Sequence, residues 1–400
     1  MNPRRYWPLL LAVVLAVAGI AVSPFAPANA AATLVQVGSF GSNPGALRMH
    51  AYVPDALPTG RPLVVALHGC TQTAADYYNR SGWPKYADLY RAAVVFPEQT
   101  SANNALSCFN WFTAGDIGRG QGEALSIKQM VDHAIRTYGS DPARVYVTGL
   151  SAGGAMTAVM LAAYPDVFAA GAVVAGLPYN CGTVCQYQAQ SKTPAQWGAL
   201  VRAANPGYTG PWPRVAVWHG TADTTVVPAN ATELRDQWTN VWGIPQTPSA
   251  TASLPGSTGV EHYHDGSGRP AVSLYRVQGL AHGTPVAPGS AENQCGATGP
   301  YFLSSICSSY YIAQSWGLTG GSPTTPPPSS PPPPSSPPPT SQPCFTSSNY
   351  AHTTAGRARQ SGGQTYANGS NQAMGLWNTF TIHTLKQTGP NYYVLADGQC

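Results

Sequence analysis

Short apolar runs rich in β-branched residues alternate with longer stretches of helical periodicity through the middle of this chain. That alternation limits the fold more than any other feature. The runs fall at 63–67, 93–96, 145–147, 172–174, 215–218 and 272–275, and the helical stretches at 123–138, 153–164, 229–242 and 301–316. Strands apolar on both faces must be covered on both faces, and amphipathic helices between them supply the cover. The expected class is α/β, a doubly wound and mostly parallel sheet. Segments 35–40 and 47–53 have no helix between them and predict an antiparallel hairpin on the sheet edge.

The stretch 323–343 is almost entirely Pro, Ser and Thr. Such a composition buries too little apolar surface to fold and favours extended polyproline II, spanning up to about 65 Å at ~3.1 Å per residue. It predicts a linker (321–343) between a main domain (31–320) and a small one (344–400). The small domain lacks a long helical stripe and shows strand-like pieces at 379–383 and 392–395 between Gly/Asn turns, so it is expected to be mainly β. Tyr350, Tyr366, Trp377, Tyr392 and Tyr393 crowd into it, either as its core or as flat apolar faces for a polymer surface.

The amino terminus carries Arg4 and Arg5, an apolar run from Leu9 to Val22, and Ala28-Asn29-Ala30. That order is the pattern of a cleaved export signal (1–30), and the run is shorter than the ~18 to 20 residues that a membrane span needs. The mature chain is expected to be soluble, secreted and extracellular, with no membrane attachment after cleavage. All eight cysteines lie beyond this signal, and in an oxidising compartment an even number reads as disulfides. Sequence neighbours pair as 70–108, 181–185, 295–307 and 344–400. The Cys181-x3-Cys185 spacing is also compatible with zinc, but no second ligand pair accompanies it, so no metal is expected. Only 9% of residues are charged, the formal charge is +4, and no Lys/Arg cluster repeats, which argues against a nucleic-acid partner.

Gly149-Leu150-Ser151-Ala152-Gly153 sits between a strand and a helix of small residues. A sharp strand-to-helix turn needs glycines two before and two after the serine, and it pushes the serine hydroxyl into a cleft. A hydroxyl becomes a nucleophile only when a base takes its proton. Among nine histidines, His282 alone follows a late strand, in Gly279-Leu280-Ala281-His282-Gly283. The acid that orients it is expected between Ser and His in chain order, just past a strand, and Asp223 fits. Ser151, Asp223 and His282 are therefore the candidate catalytic residues. Acyl transfer also needs N–H donors for an oxyanion. Ala152, directly after the serine, supplies one; Leu67-His68-Gly69-Cys70-Thr71 places Cys70 or Thr71 as the other, with Cys70 preferred and His68 bracing the loop. No cofactor is required.

Leu67–Gln72, Cys108-Phe109-Asn110-Trp111-Phe112, the stretch 145–154, His219-Gly220-Thr221-Ala222-Asp223 and the stretch 279–283 together resemble the poly(3-hydroxybutyrate) depolymerase family of esterases, related to secreted feruloyl and acetylxylan esterases. The resemblance spans the main domain. It implies the same Ser-Asp-His set, an oxyanion loop ahead of the serine, and bridges among cysteines 70, 108, 295 and 307. The small domain resembles a module appended to such secreted depolymerases, and substrate binding is one role for it. The expected activity is hydrolysis of esters in an extracellular polymer or its oligomers by a monomer, with poly(3-hydroxybutyrate) as first choice of substrate. Feruloylated or acetylated polysaccharide is second; acyl transfer and non-catalytic polymer binding stand behind these two. Trp111 is a candidate wall of the acyl pocket and equally a candidate core residue. Loops at 177–213 and 243–270 are expected to fold over Ser151.

Overall fold

The computed structural model describes residues 32–319, 343–389 and 391–398; the expected export signal and nearly all of the Pro/Ser/Thr stretch lie outside the described residues. The chain divides into two compact units, Met1–Ser322 and Pro323–Cys400.

Ten strands of the first unit form one sheet: β1 (Val35–Val37), β2 (Arg48–Tyr52), β3 (Arg61–Leu67), β4 (Ala93–Glu98), β5 (Ser140–Leu150), β6 (Ala170–Val174), β7 (Arg214–Gly220), β8 (Ala250–Leu254), β9 (Thr258–His264) and β10 (Pro270–Val277). Their spatial order is 1-2-4-3-5-6-7-10-9-8. The central strands β4, β3, β5, β6, β7 and β10 pair in parallel, and antiparallel β1–β2 and β9–β8 flank them. The expected α/β class and the edge hairpin are both present.

Eight helices accompany the sheet: α1 (Ala74–Ser81), α2 (Trp83–Tyr90), α3 (Ala114–Ile117), α4 (Gly122–Tyr138), α5 (Ala152–Ala163), α6 (Pro194–Ala204), α7 (Ala229–Trp242) and α8 (Ser308–Ser315). Strand periodicity sorts side chains between two cores. Leu63, Val65 and Leu67 join Met156, Trp197 and Trp238 on the face covered by α4 to α7. Val64 and Ala66 share the opposite face with Trp83, Trp218 and Trp316, beneath α1, α2 and α8. Every residue of α5 is buried, which explains its run of Ala, Gly and Met: a helix enclosed all round has no polar face to show.

Two expectations need correction. Residues 243–270 do not form a loop over Ser151; β8 and β9 make a hairpin that extends the sheet, turning at Gly256 (φ 66°) and Ser257 (φ 51°), the left-handed geometry that tight hairpins require. The helix expected over 301–316 is shorter. Its first part is strand β12 (Phe302–Ser304), paired in parallel with β11 (Thr284–Val286), and α8 starts only after Cys307, whose Sγ accepts the Tyr310 N–H at 3.3 Å. Residues 177–213 hold α6 and a short 3₁₀ turn (Thr183–Gln186). Helices α1 and α6 begin at capping boxes, Thr73 with Asp76 and Thr193 with Gln196.

Disulfides join Cys70 to Cys108, Cys181 to Cys185, and Cys295 to Cys307. Cys344 is also disulfide-bonded, and Cys400 lies outside the described residues.

In the second unit β13 (Cys344–Ser348), β17 (Ile382–Gly389) and β18 (Tyr392–Leu395) form one antiparallel sheet. A second comprises β14 (Ala358–Ser361), β15 (Gln364–Ala367) and β16 (Ala373–Leu376), with helix α9 (Asn349–Thr354) following β13. The core is small: Ala358, Ala367, Met374, Leu385 and Tyr393. Of the aromatic residues, Tyr393 is buried, whereas Tyr350, Trp377, Phe380 and Tyr392 are exposed, Phe380 at 88%.

Candidate active site

Strand β5 ends at Leu150 and α5 begins at Ala152, so Ser151 alone makes the turn between them. Its backbone sits at φ 57°, ψ −117°, a conformation that costs a residue bearing a Cβ about 1–3 kcal/mol. The Ser151 N–H donates to the Val174 carbonyl at 2.9 Å, and the Ser151 carbonyl accepts the Ala155 N–H at 2.8 Å. These bonds hold the strain. A Cβ on Gly149 would run into the Gly153 carbonyl, and one on Gly153 into the His68 carbonyl. The glycines therefore let α5 start directly against the end of β3.

Asp223 follows β7 and His282 follows β10, the neighbouring strand. Their loops are stitched together: Thr221 N–H donates to the Val277 carbonyl (3.0 Å), Ala222 N–H to the Leu280 carbonyl (3.0 Å), and Gly279 N–H to Thr221 Oγ1 (2.8 Å). His282 Nδ1 lies 2.8 Å from Asp223 Oδ2. Facing a carboxylate, Nδ1 carries the proton, which leaves Nε2 as the basic nitrogen. Asp223 Oδ1 accepts the N–H groups of Thr225 (2.9 Å) and Val226 (2.8 Å). Burial by itself would raise the Asp223 carboxyl; hydrogen bonds from His219, His282 and the Val226 N–H outweigh it and hold the group below the usual carboxylate range. Ser151 lies at the same carboxyl edge of the sheet, after β5, which β6 separates from β7. No hydrogen bond joins Ser151 to His282 among the described residues, and such contacts commonly tighten only around substrate.

At the loop after β3, Gly69 N–H donates to Gln72 Oε1 (2.8 Å), and Thr71 N–H to the Leu106 carbonyl (2.7 Å). Thr71 is thereby committed, which leaves Cys70 as the candidate donor of this pair. The Ala152 N–H opens α5, where a helix has no acceptor of its own to offer. His68 is fully buried beneath the loop. Its Nε2 accepts the Gln99 N–H (3.0 Å), so Nδ1 carries the proton and donates to the Gly69 carbonyl (2.7 Å), and burial pushes its pKa down. A neutral ring bonded through both nitrogens braces the loop and has no lone pair left for catalysis.

The residues 47–259 match the family described as Esterase PHB depolymerase. The chain belongs to this family. It is 52% identical over 294 residues to poly(3-hydroxyalkanoate) depolymerase C of Paucimonas lemoignei, covering 72% of this chain and 70% of that one. It is 37% identical over 273 residues to feruloyl esterase B of Talaromyces funiculosus, covering 65% and 75%. Among solved structures it matches an acetyl xylan esterase from Aspergillus awamori with a TM-score of 0.61 at 27% identity, over 72% of this chain and 99% of that one. The protein is a carboxylic ester hydrolase of the PHB depolymerase esterase family.

Around the candidate centre of this esterase, the structure places several residues that sequence reasoning missed. His219 Nε2 faces both the Val226 carbonyl (2.8 Å) and Asp223 Oδ2 (3.4 Å). Its position four residues before Asp223 was a readable signal. The Tyr301 ring lies edge-on to His282 at 6.0 Å and is 43% exposed; nothing local in the sequence marks it. Trp111 is buried in the main core, and the ring that reaches solvent there is its edge-on neighbour Phe112.

Buried Glu123 at the start of α4 was also missed. It accepts the Asn110 N–H (2.8 Å), Asn110 Nδ2 (2.8 Å) and Gln99 Nε2 (2.5 Å). Glu123 thus ties down the loop whose Cys108 is bonded to Cys70. Burial, partly offset by the Asn110 hydrogen bond, pushes its carboxyl up to about 8. Donor atoms of Cys181, Cys185 and Glu233 lie within 4.8 Å of one another. The two cysteines are joined as a disulfide, and metal ligation requires thiolates.

Proposed function

We propose that this esterase is a secreted depolymerase of short-chain hydroxyalkanoate polyester, acting through a Ser151 acyl-enzyme. His282 Nε2 takes the Ser151 proton while Asp223 holds Nδ1; Ser151 Oγ attacks the ester carbonyl, and the Cys70 and Ala152 N–H groups receive the oxyanion. His282 returns the proton to the departing alcohol, and water then releases the acid by the same route. The export-signal pattern and the disulfides support action outside the cell.

One observation carries the polymer reading. Of the large apolar side chains exposed on the first unit, Leu106, Phe112, Val184, Tyr187 and Tyr301 sit on the loops around this centre. The Leu106 carbonyl bonds the oxyanion loop, Tyr301 faces His282, and the Gln186 carbonyl, between Val184 and Tyr187, accepts the N–H of Val227, next to the Asp223 turn. An apolar rim of this kind suits a flat, water-poor polyester surface better than a hydrated polysaccharide. In the second unit, exposed Tyr350, Trp377 and Phe380 support a role in holding the same material.

Turnover by the purified protein on hydroxybutyrate polymer film, methyl ferulate, acetylated xylan and short nitrophenyl esters tests this reading. The film should be eroded with soluble acids released. Preference for ferulate or acetylxylan with an intact film would overturn it.

A further inference from the structure

A hollow of about 250 Å³ lies beneath α8, at the amino-terminal ends of β6, β7 and β10. The candidate catalytic residues follow the carboxyl ends of their strands, so the length of β7, roughly 20 Å at ~3.3 Å per residue, separates the two places. The hollow exists because small side chains meet on one face of the sheet. Ala170, Ala216, Ala252, Ala271 and Ser273 line it, where the neighbouring register positions of the same face carry Trp218 and Tyr275. Tyr275, Tyr311 and Trp316 form its aromatic walls.

At the rim stands Arg214. Its Nη1 donates to the Ser315 carbonyl at 2.6 Å, capping the end of α8, but a guanidinium has five N–H donors. No carboxylate lies within ion-pairing distance of it among the described residues. The one acid that influences it, Asp265, is turned to the N–H groups of Ser267 (2.8 Å) and Arg269 (3.1 Å). Burial and the charge of Arg269 both act against the Arg214 cation. His262 lines the same hollow, with Nδ1 2.9 Å from Ser273 Oγ. A half-buried cation with no carboxylate in ion-pairing distance, at the mouth of an apolar hollow, is complementary to an anion with an apolar body. The volume is just under the ~300–1,000 Å³ of sites for drug-sized ligands, so the ligand is small.

We propose that this hollow is a second binding site that takes a small carboxylic acid, its carboxylate on Arg214 and its apolar body against Trp316 and Tyr275. An ester hydrolase releases such an acid at every turnover. The inference rests on the hollow alone and does not depend on which ester is cleaved.

Calorimetric titration of the full-length protein with butyrate, 3-hydroxybutyrate and ferulate tests it, with the corresponding amides as neutral controls. The acids should bind saturably and the amides about tenfold more weakly, since a charge-assisted hydrogen bond is roughly twice as strong as a neutral one. Arg214→Gln should remove the preference for acids. Ala252→Leu, at the exposed lip, should block binding with Arg214 intact, and it decides the matter if Arg214→Gln destabilises α8. Both variants should leave turnover of soluble nitrophenyl esters unchanged. The relative affinities of the three acids identify the body the hollow prefers. No saturable binding, or acid binding that survives both substitutions, would overturn the proposal.

Discussion

His219 Nε2 stands 3.4 Å from Asp223 Oδ2, so the same carboxylate oxygen that is bonded to His282 also faces a second histidine. Asp223 is held low, so its contribution to stability is present above the ordinary carboxylate range and is lost as pH falls through the folded-state pKa. His219→Phe removes one of those bonds. It should lower kcat on a soluble ester by about tenfold with little change in KM, the size expected for loss of an orienting partner. Its destabilisation should be visible at neutral pH and shrink only where acid protonates the folded Asp223 carboxylate, well below the ordinary carboxylate range. Thermal melts of both proteins from pH 7 down through the acid-unfolding range check the sign, and a destabilisation that grows as acid is added would refute it.

Ser151→Ala and His282→Ala should each reduce ester hydrolysis by about 10³-fold or more while leaving thermal unfolding near that of the parent protein. Relief of the backbone strain does not accompany Ser151→Ala, because alanine also bears a Cβ. Near-parental turnover by Ser151→Ala would exclude the mechanism.

Glu123 supplies a pH prediction of opposite sign. Its folded pKa of about 8 exceeds the ordinary value of 4.5, so the folded state holds a proton that the unfolded chain gives up. Its contribution is complete below the ordinary value and is lost as pH rises through about 8. Glu123→Gln should flatten the fall in Tm between pH 5 and pH 8. Identical Tm profiles in the two proteins would show that Glu123 is ionised throughout.

The Cys70–Cys108 bridge closes a loop of sequence separation 38 that carries the candidate oxyanion donor. Replacing both cysteines by alanine should cost about 4 kcal/mol on the loop-entropy account. Below the lowered melting point it should reduce kcat more than it raises KM, because the N–H at position 70 would no longer be held for the transition state. A change confined to Tm would separate the bridge from catalysis.

Deleting Pro323–Cys400 should leave soluble-ester turnover unchanged and reduce adsorption to polyester film. The more selective test is Phe380→Ser with Trp377→Ala, since both rings are exposed and lie outside the small core around Tyr393. Film binding should fall with the fold retained. Undiminished binding would assign the second unit another task.

The parts of this protein that rest on local pattern are legible along the chain. The α/β class followed from apolar strands alternating with amphipathic helices, and the turn at Ser151 from glycines that only a strand-to-helix corner demands. The candidate order Ser151, Asp223, His282 is read from which residues trail a strand, and the structure brings Asp223 to His282. Tertiary structure decided whatever depends on residues distant in the chain. The Leu106 carbonyl takes the Thr71 N–H and so distinguishes Cys70 from Thr71, and the contact of Tyr301 with His282 has no local trace. The edge strand β8 does alternate, Ala250-Thr251-Ala252-Ser253-Leu254, but its apolar members are mostly small and exposed, so the pattern is too weak to announce a hairpin with β9. The hollow at Arg214 is the extreme case. Alanines from four strands are unremarkable in sequence, and only their meeting on one face under α8 makes a space. Periodicity records which face a residue buries, whereas the shape left between faces depends on every side chain that packing brings there.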